Sequence, residues 1–109
     1  MATLVWHAPM QYRSTGDERA FFGWLQSIPG VVSVRGEGRE LHIGLRSKRV
    51  SSSALRELLA LYARYGGKLE ELAQFENASN TSWFSQPGSY WYAGVFARGK
   101  PVKQRNAPK

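Results

Sequence analysis

Apolar and polar positions alternate most clearly over residues 39–46, where Leu41, Ile43 and Leu45 fall on one side and His42, Gly44 and Arg46 on the other. A period of two predicts a strand with one buried and one polar face, as in an antiparallel sheet covered on one side. Two shorter runs, residues 3–7 and 31–35, are rich in β-branched and aromatic side chains and predict two further strands. Gly36-Glu37-Gly38 separates the second from the third and reads as a hairpin loop. Elsewhere the period becomes helical. Phe21, Trp24, Leu25 and Ile28 recur at i, i+3, i+4 and i+7 and stop before Pro29-Gly30, while Thr15 and Glu18 ahead of them have the spacing of a capping box. Leu55, Leu58, Leu59 and Tyr62 form the stripe of a second helix, widened by Ala54, Leu61 and Tyr65. Ser51-Ser52-Ser53 offers its N-cap and Gly66-Gly67 its stop. Leu69, Leu72 and Ala73 place a short third helix over residues 68–75, and residues 76–82 read as loop.

The element order is β-α-β-β-α. A right-handed β-α-β crossover puts its helix on one sheet face, and the hairpin then inserts the third strand between the first two. Both helices cover the face lined by Leu41, Ile43 and Leu45. The expected fold is a single small α+β domain resembling a ferredoxin-like split β-α-β sandwich, with no evident fourth strand. Trp83, Phe84, Tyr90, Trp91, Tyr92 and Phe96 place six of the fourteen aromatic residues within residues 83–96. Rings that each bury roughly 150–250 Å² close the core here. They do so as a fourth strand, which suits the alternation of Tyr90, Tyr92, Gly94 and Phe96, or as a short helix begun at Ser89, which suits the i, i+4 pairs Trp91–Val95 and Tyr92–Phe96. Rings left at the edge would serve as anchors for a partner, and Trp83, Trp91 and Tyr92 are the candidates, because Trp and Tyr are enriched at interface hot spots.

Length and composition narrow the function classes. At 109 residues the chain fits one domain, and 42% hydrophobic residues suffice for a core. There is no apolar run of about 18 residues to span a membrane and no secretory signal pattern at the start, so a cytoplasmic protein is expected. Cysteine is absent, which excludes disulfides, thiolate metal sites and a cysteine nucleophile. Fifteen basic against eight acidic residues give a net charge of +7. Five of the bases, Arg98, Lys100, Lys103, Arg105 and Lys109, follow residue 97 with no acid among them, which leaves +2 on the rest. The expected organisation is therefore a folded domain over 1–97 and a basic disordered tail over 98–109.

The chemistry-bearing residues are few. His7 and His42 lack metal-site spacing, and both could lie on the polar sheet face, where a solvated or hydrogen-bonded role suits them. Asp17, Glu18, Glu57, Glu70 and Glu71 fall near helix starts or on exposed helix faces. No nucleophile elbow or complete phosphate loop is present. No catalytic residue, metal ligand or cofactor is therefore assigned. The cluster Arg46, Lys48 and Arg49, with Arg35 and Arg39 near it, is a candidate basic patch.

The second helix, Leu-Arg-Glu-Leu-Leu-Ala-Leu-Tyr-Ala-Arg-Tyr at 55–65, is followed by Leu72-x-x-Phe75, Asn80-x-x-Trp83-Phe84 and Tyr90-Trp91-Tyr92-x-x-Val95-Phe96. Together these resemble small bacterial immunity proteins of contact-dependent growth-inhibition and polymorphic toxin systems. The resemblance covers roughly half the chain and consists of packing residues. It implies a non-enzymatic domain that binds and blocks one cognate toxin, through an acidic toxin face or a largely apolar interface given the basic charge of this chain. The expected partner surface combines Trp83, Trp91 and Tyr92 with Arg46, Lys48 and Arg49. The alternative is a small basic nucleic-acid-binding module that uses phosphate contacts.

Overall fold

The computed structural model describes residues 2–7 and 11–97. The expected tail, 98–109, lies outside the described residues. Three strands, β1 (Ala2–Trp6), β2 (Val31–Glu37) and β3 (Glu40–Leu45), form a sheet in the order β1-β3-β2 with both pairings antiparallel. β3 is thus inserted between β1 and β2, as the crossover and hairpin require. Leu41, Ile43 and Leu45 are buried with Leu4 and Trp6 of β1, so the alternation on β3 does mark the core face. Glu37 pairs with Glu40, which shortens the hairpin turn to Gly38-Arg39 and extends β2 beyond its expected end. The register of β2 shifts between Val31 and Ser33. The bulge leaves Val32 45% exposed and makes this edge a poorer template for further strand pairing.

Helix α1 (Thr15–Ser27) buries Phe21 and Leu25, and α2 (Ser52–Tyr65) buries Ala54, Leu55, Leu58, Leu59, Leu61 and Tyr62. The cap of α1 differs from expectation. Ser14, not Thr15, is the N-cap and accepts from the Asp17 amide at 3.1 Å. The alternative spacing Ser14-x-x-Asp17 wins because Asp17 is held from two further sides, by the Arg13 amide at 2.8 Å and the Tyr65 hydroxyl of α2 at 3.0 Å. These bonds hold the Asp17 carboxyl below its usual range, the Arg13 amide being the chief cause and the Tyr65 hydroxyl the next. α2 ends as expected at Gly66, in the left-handed region at φ 75°. At Gly67 the need is space: a Cβ there would lie 2.5 Å from Tyr62 and 2.7 Å from the Trp6 ring. Those rings are fully buried and stacked, with centroids 3.9 Å apart.

Residues 69–75 are helical as expected but form a 3-10 helix, Leu69–Phe75. Its three-residue period eclipses Leu72 and Phe75, and both enter the core. Glu71 of this helix accepts at Oε2 from the His7 amide, at 3.2 Å, just beyond β1, and at Oε1 from the Tyr62 hydroxyl at 2.8 Å. One carboxylate therefore ties the end of β1 to α2 and the 3-10 helix.

The C-terminal aromatic segment resolves as helical turns rather than a fourth strand. Buried Asn80 organises the approach, its Oδ1 accepting from the Asn77 amide at 2.9 Å and its Nδ2 donating to the Phe75 carbonyl at 2.8 Å. A short helix α3 (Thr81–Phe84) follows, where sequence alone reads partly as loop, and then a π-helical turn, Ala93–Ala97. Phe84, Trp91, Val95 and Phe96 are buried. The Phe84 and Phe96 rings meet edge to face at 5.0 Å. The result is a small compact α+β domain with a three-stranded antiparallel sheet whose core face is covered by helices.

Candidate functional site

The buried stripe of α2 leaves Ser52, Arg56 and Glu57 on its outer side. Each meets an aromatic residue from another element. The Trp83 indole N–H donates to the Ser52 hydroxyl at 3.2 Å. The Arg56 guanidinium carbon sits 3.9 Å above the Trp83 ring centroid, a cation–π contact of about 0.5–1 kcal/mol where solvent has access. The Trp24 indole N–H of α1 donates to Glu57 Oε1 at 2.7 Å. Tyr90 completes the row. It is 63% exposed, rests edge to face on Trp91 at 4.9 Å, and is near enough to Glu57 for that carboxylate to act on it. Partial burial, then the Glu57 charge, raises the Tyr90 phenol above its ordinary value. It remains a neutral donor across the physiological range.

The ring anchors expected from sequence take different positions. Trp83 is half-buried and belongs to this row. Trp91 is only 8% exposed, and its indole N–H donates to the Phe84 carbonyl at 2.7 Å. It is a core ring that supports the surface from below. Tyr92 is half-buried against Phe96, with ring centroids 5.4 Å apart. Tyr90, the neighbour of both, is the ring presented to solvent. Helical spacing carried the available signal, because the i, i+4 pairs Trp91–Val95 and Tyr92–Phe96 leave Tyr90 off the buried side.

Arg46, Lys48 and Arg49 are all exposed, on the connection from β3 to α2. Among the described residues their side chains make no ion pair. Arg49 and Ser52 line one shallow groove with Val50, Ser51, Asn77 and Asn80. Since Ser52 also holds Trp83, the basic connection and the aromatic row form one continuous surface. Arg35 does not join it: it pairs with Glu37 at 2.8 Å.

A second constellation lies at the end of β1. His7 Nδ1 is 2.9 Å from Glu71 Oε2, His7 Nε2 is 3.5 Å from Glu40 Oε2, and His42 Nε2 is 3.0 Å from Glu40 Oε1. Both histidines therefore lie on the polar side of the sheet and hydrogen-bond to carboxylates. Glu71, 13% exposed at its side chain, spends both oxygens on groups of the chain itself. This arrangement ties β1, β3 and the 3-10 helix together. Among the described residues, no group of three or more His, Cys, Asp or Glu is arranged to hold a metal ion. Among the same residues, no helix is long and apolar enough to cross a membrane.

A third feature is a groove of about 730 Å³ lined by Gln11, Arg13, Asp17, Arg64, Tyr65 and Gly66. Asp17 lies within it but is occupied by the Arg13 amide and the Tyr65 hydroxyl. No protein-family model, curated protein or solved structure matches the chain.

Proposed function

We propose that this chain is a non-catalytic protein-binding domain of the immunity type, which sequesters a cognate bacterial toxin. The observation that carries the reading is the α2 surface, where Trp83 lies under Arg56 and shares the Trp91 ring with solvent-exposed Tyr90. Trp, Tyr and Arg are the residue types that concentrate binding energy at protein interfaces. Trp83 is held by Ser52 and Arg56, and Tyr90 rests on Trp91, which limits the conformational entropy left to lose on association. The β1-α1-β2 crossover with β3 inserted supports a ferredoxin-like split β-α-β arrangement, with helical turns following in place of a fourth strand. The nucleic-acid alternative draws on Arg46, Lys48 and Arg49, which make no ion pair among the described residues. Less favours it, because Trp83, the ring joined to that groove through Ser52, already has a face covered by Arg56.

The test is co-expression with a toxin encoded beside the gene. A stable complex that protects the host, lost in the Tyr90→Ala variant, supports the reading. A parent protein that neither co-purifies with the toxin nor protects the host refutes it.

A further inference from the structure

Three shallow grooves meet around one side chain. The first, of about 210 Å³, is lined by Pro29, Gly30, Arg46, Arg49 and Val50 among others. The second, of about 290 Å³, runs from Arg49 past Ser51 and Ser52 to Asn77 and Asn80. The third, of about 320 Å³, is lined by Lys48, Arg49, Gln74, Phe75, Glu76 and Asn77. Arg49 borders all three. Among the described residues its guanidinium, the Arg46 guanidinium and the Lys48 ammonium make no ion pair. Glu76, the acid lining the third groove, accepts from the Ser85 hydroxyl and keeps its negative charge, so the cations around these grooves outnumber it three to one. The floors are partly apolar, with Pro29, Val50 and Phe75, and the walls carry amide and hydroxyl groups.

We infer that the Arg49-centred grooves dock a short acidic segment of the protein partner, with its carboxylates at Arg46, Lys48 and Arg49 and its apolar side chains on the floors. The inference rests on the binding reading above and adds the chemistry of what is bound. Charge complementarity selects the occupant: Arg49 shares one groove with Arg46 and another with Lys48, beside apolar and amide-bearing lining residues. A planar guanidinium matches a carboxylate through two parallel hydrogen bonds. A nucleic-acid strand would instead draw on cations spaced along a track, with open ring faces to stack its bases. The segment would leave the grooves past Ser52 and reach Trp83 and Tyr90, so one continuous stretch of partner engages both halves of the surface.

The test uses the full chain and two synthetic nine-residue peptides, four Glu on each side of one Leu and the same sequence with Gln in place of Glu. A twelve-nucleotide oligo-dT serves as the third probe, and binding is followed by tryptophan fluorescence at low and moderate salt. The Glu peptide is expected to bind about tenfold more tightly than the Gln peptide, a margin of about 1.4 kcal/mol. That margin should shrink with salt and be lost in the Lys48→Gln/Arg49→Gln double variant. Because both side chains are exposed, the variant is expected to keep the parental Tm, which is measured alongside. Equal binding of the two peptides overturns the inference, as does an unchanged margin in the double variant. Tighter binding of oligo-dT, lost in the same variant, assigns the face to nucleic acid and also overturns it. Toxin capture that survives Lys48→Gln/Arg49→Gln but fails with Tyr90→Ala overturns this inference alone. Failure of the parent to capture toxin overturns the binding reading on which it rests.

Discussion

Replacing Gly67 with Ala adds a single methyl group where the fold has no room. The new carbon would lie 2.5 Å from Tyr62 Cδ2, 2.7 Å from Trp6 Cζ2 and 2.8 Å from Trp6 Cε2. Both rings are fully buried, and neither can turn aside without opening the Trp6–Tyr62 stack at 3.9 Å. Tyr62 is further held by Glu71 and Trp6 by the edge of Phe21 at 5.3 Å. Overpacking a tight core costs about 1–3 kcal/mol, and two constrained rings place Gly67→Ala near the upper end. For a domain of this size, each kcal/mol corresponds to about 4–8 °C in Tm, so a loss of about 10–20 °C is expected by thermal denaturation. Gly66→Ala is the informative control. It has open space around its Cβ position but a φ of 75°, and left-handed backbone strain costs about 1–2 kcal/mol. The two substitutions thus separate steric overlap from backbone strain. A Gly67→Ala protein with a Tm within about 2 °C of the parent, or less destabilised than Gly66→Ala, refutes the reasoning.

Adjacent aromatic residues should behave oppositely. Trp91→Ala removes a buried ring and the donor to the Phe84 carbonyl, for a loss of about 3–5 kcal/mol in chemical denaturation, whereas Tyr90→Ala, which gives up only an edge-to-face contact, should cost no more than about 1.5 kcal/mol. Glu71→Gln keeps one acceptor oxygen but cannot serve both the His7 and Tyr62 partners as the carboxylate does. It should cost about 1–3 kcal/mol and speed amide exchange at His7; parental protection there would count against the tie. The Asp17 carboxyl is depressed in the folded state, so its contribution is present above the unfolded pKa and is lost as pH falls through the folded value. Asp17→Asn should accordingly narrow the stability difference between neutral and acid solution, measured by urea midpoints from pH 7 to pH 2. At the alkaline end, burial and the nearby Glu18 carboxylate push the Tyr12 phenol up to about 12. Stability should fall as pH rises from the ordinary phenol range through that value, and Tyr12→Phe should flatten that limb.

Local pattern determined much of this protein. Alternation at Leu41, Ile43 and Leu45 identified the core face of β3, and helical spacing from Leu55 to Tyr62 identified α2, because burial along a single element repeats with that element's own period. Crossover handedness and hairpin length then determined the order β1-β3-β2. The basic connection at Arg46, Lys48 and Arg49 was equally legible, since charged side chains between elements stay at the surface. What required the tertiary structure was every choice between near-equivalent local solutions. Ser14 prevails over Thr15 as cap because Tyr65, 48 residues beyond Asp17, holds that carboxylate. The aromatic segment becomes helical, with Trp91 inside and Tyr90 outside, and the Trp91 indole reaches the Phe84 carbonyl seven residues earlier. The pairing of Arg56 with Trp83 and of Trp24 with Glu57 joins residues 27 and 33 positions apart. Contacts of that range leave no periodic trace in a sequence, since they depend on how whole elements dock rather than on how each one repeats.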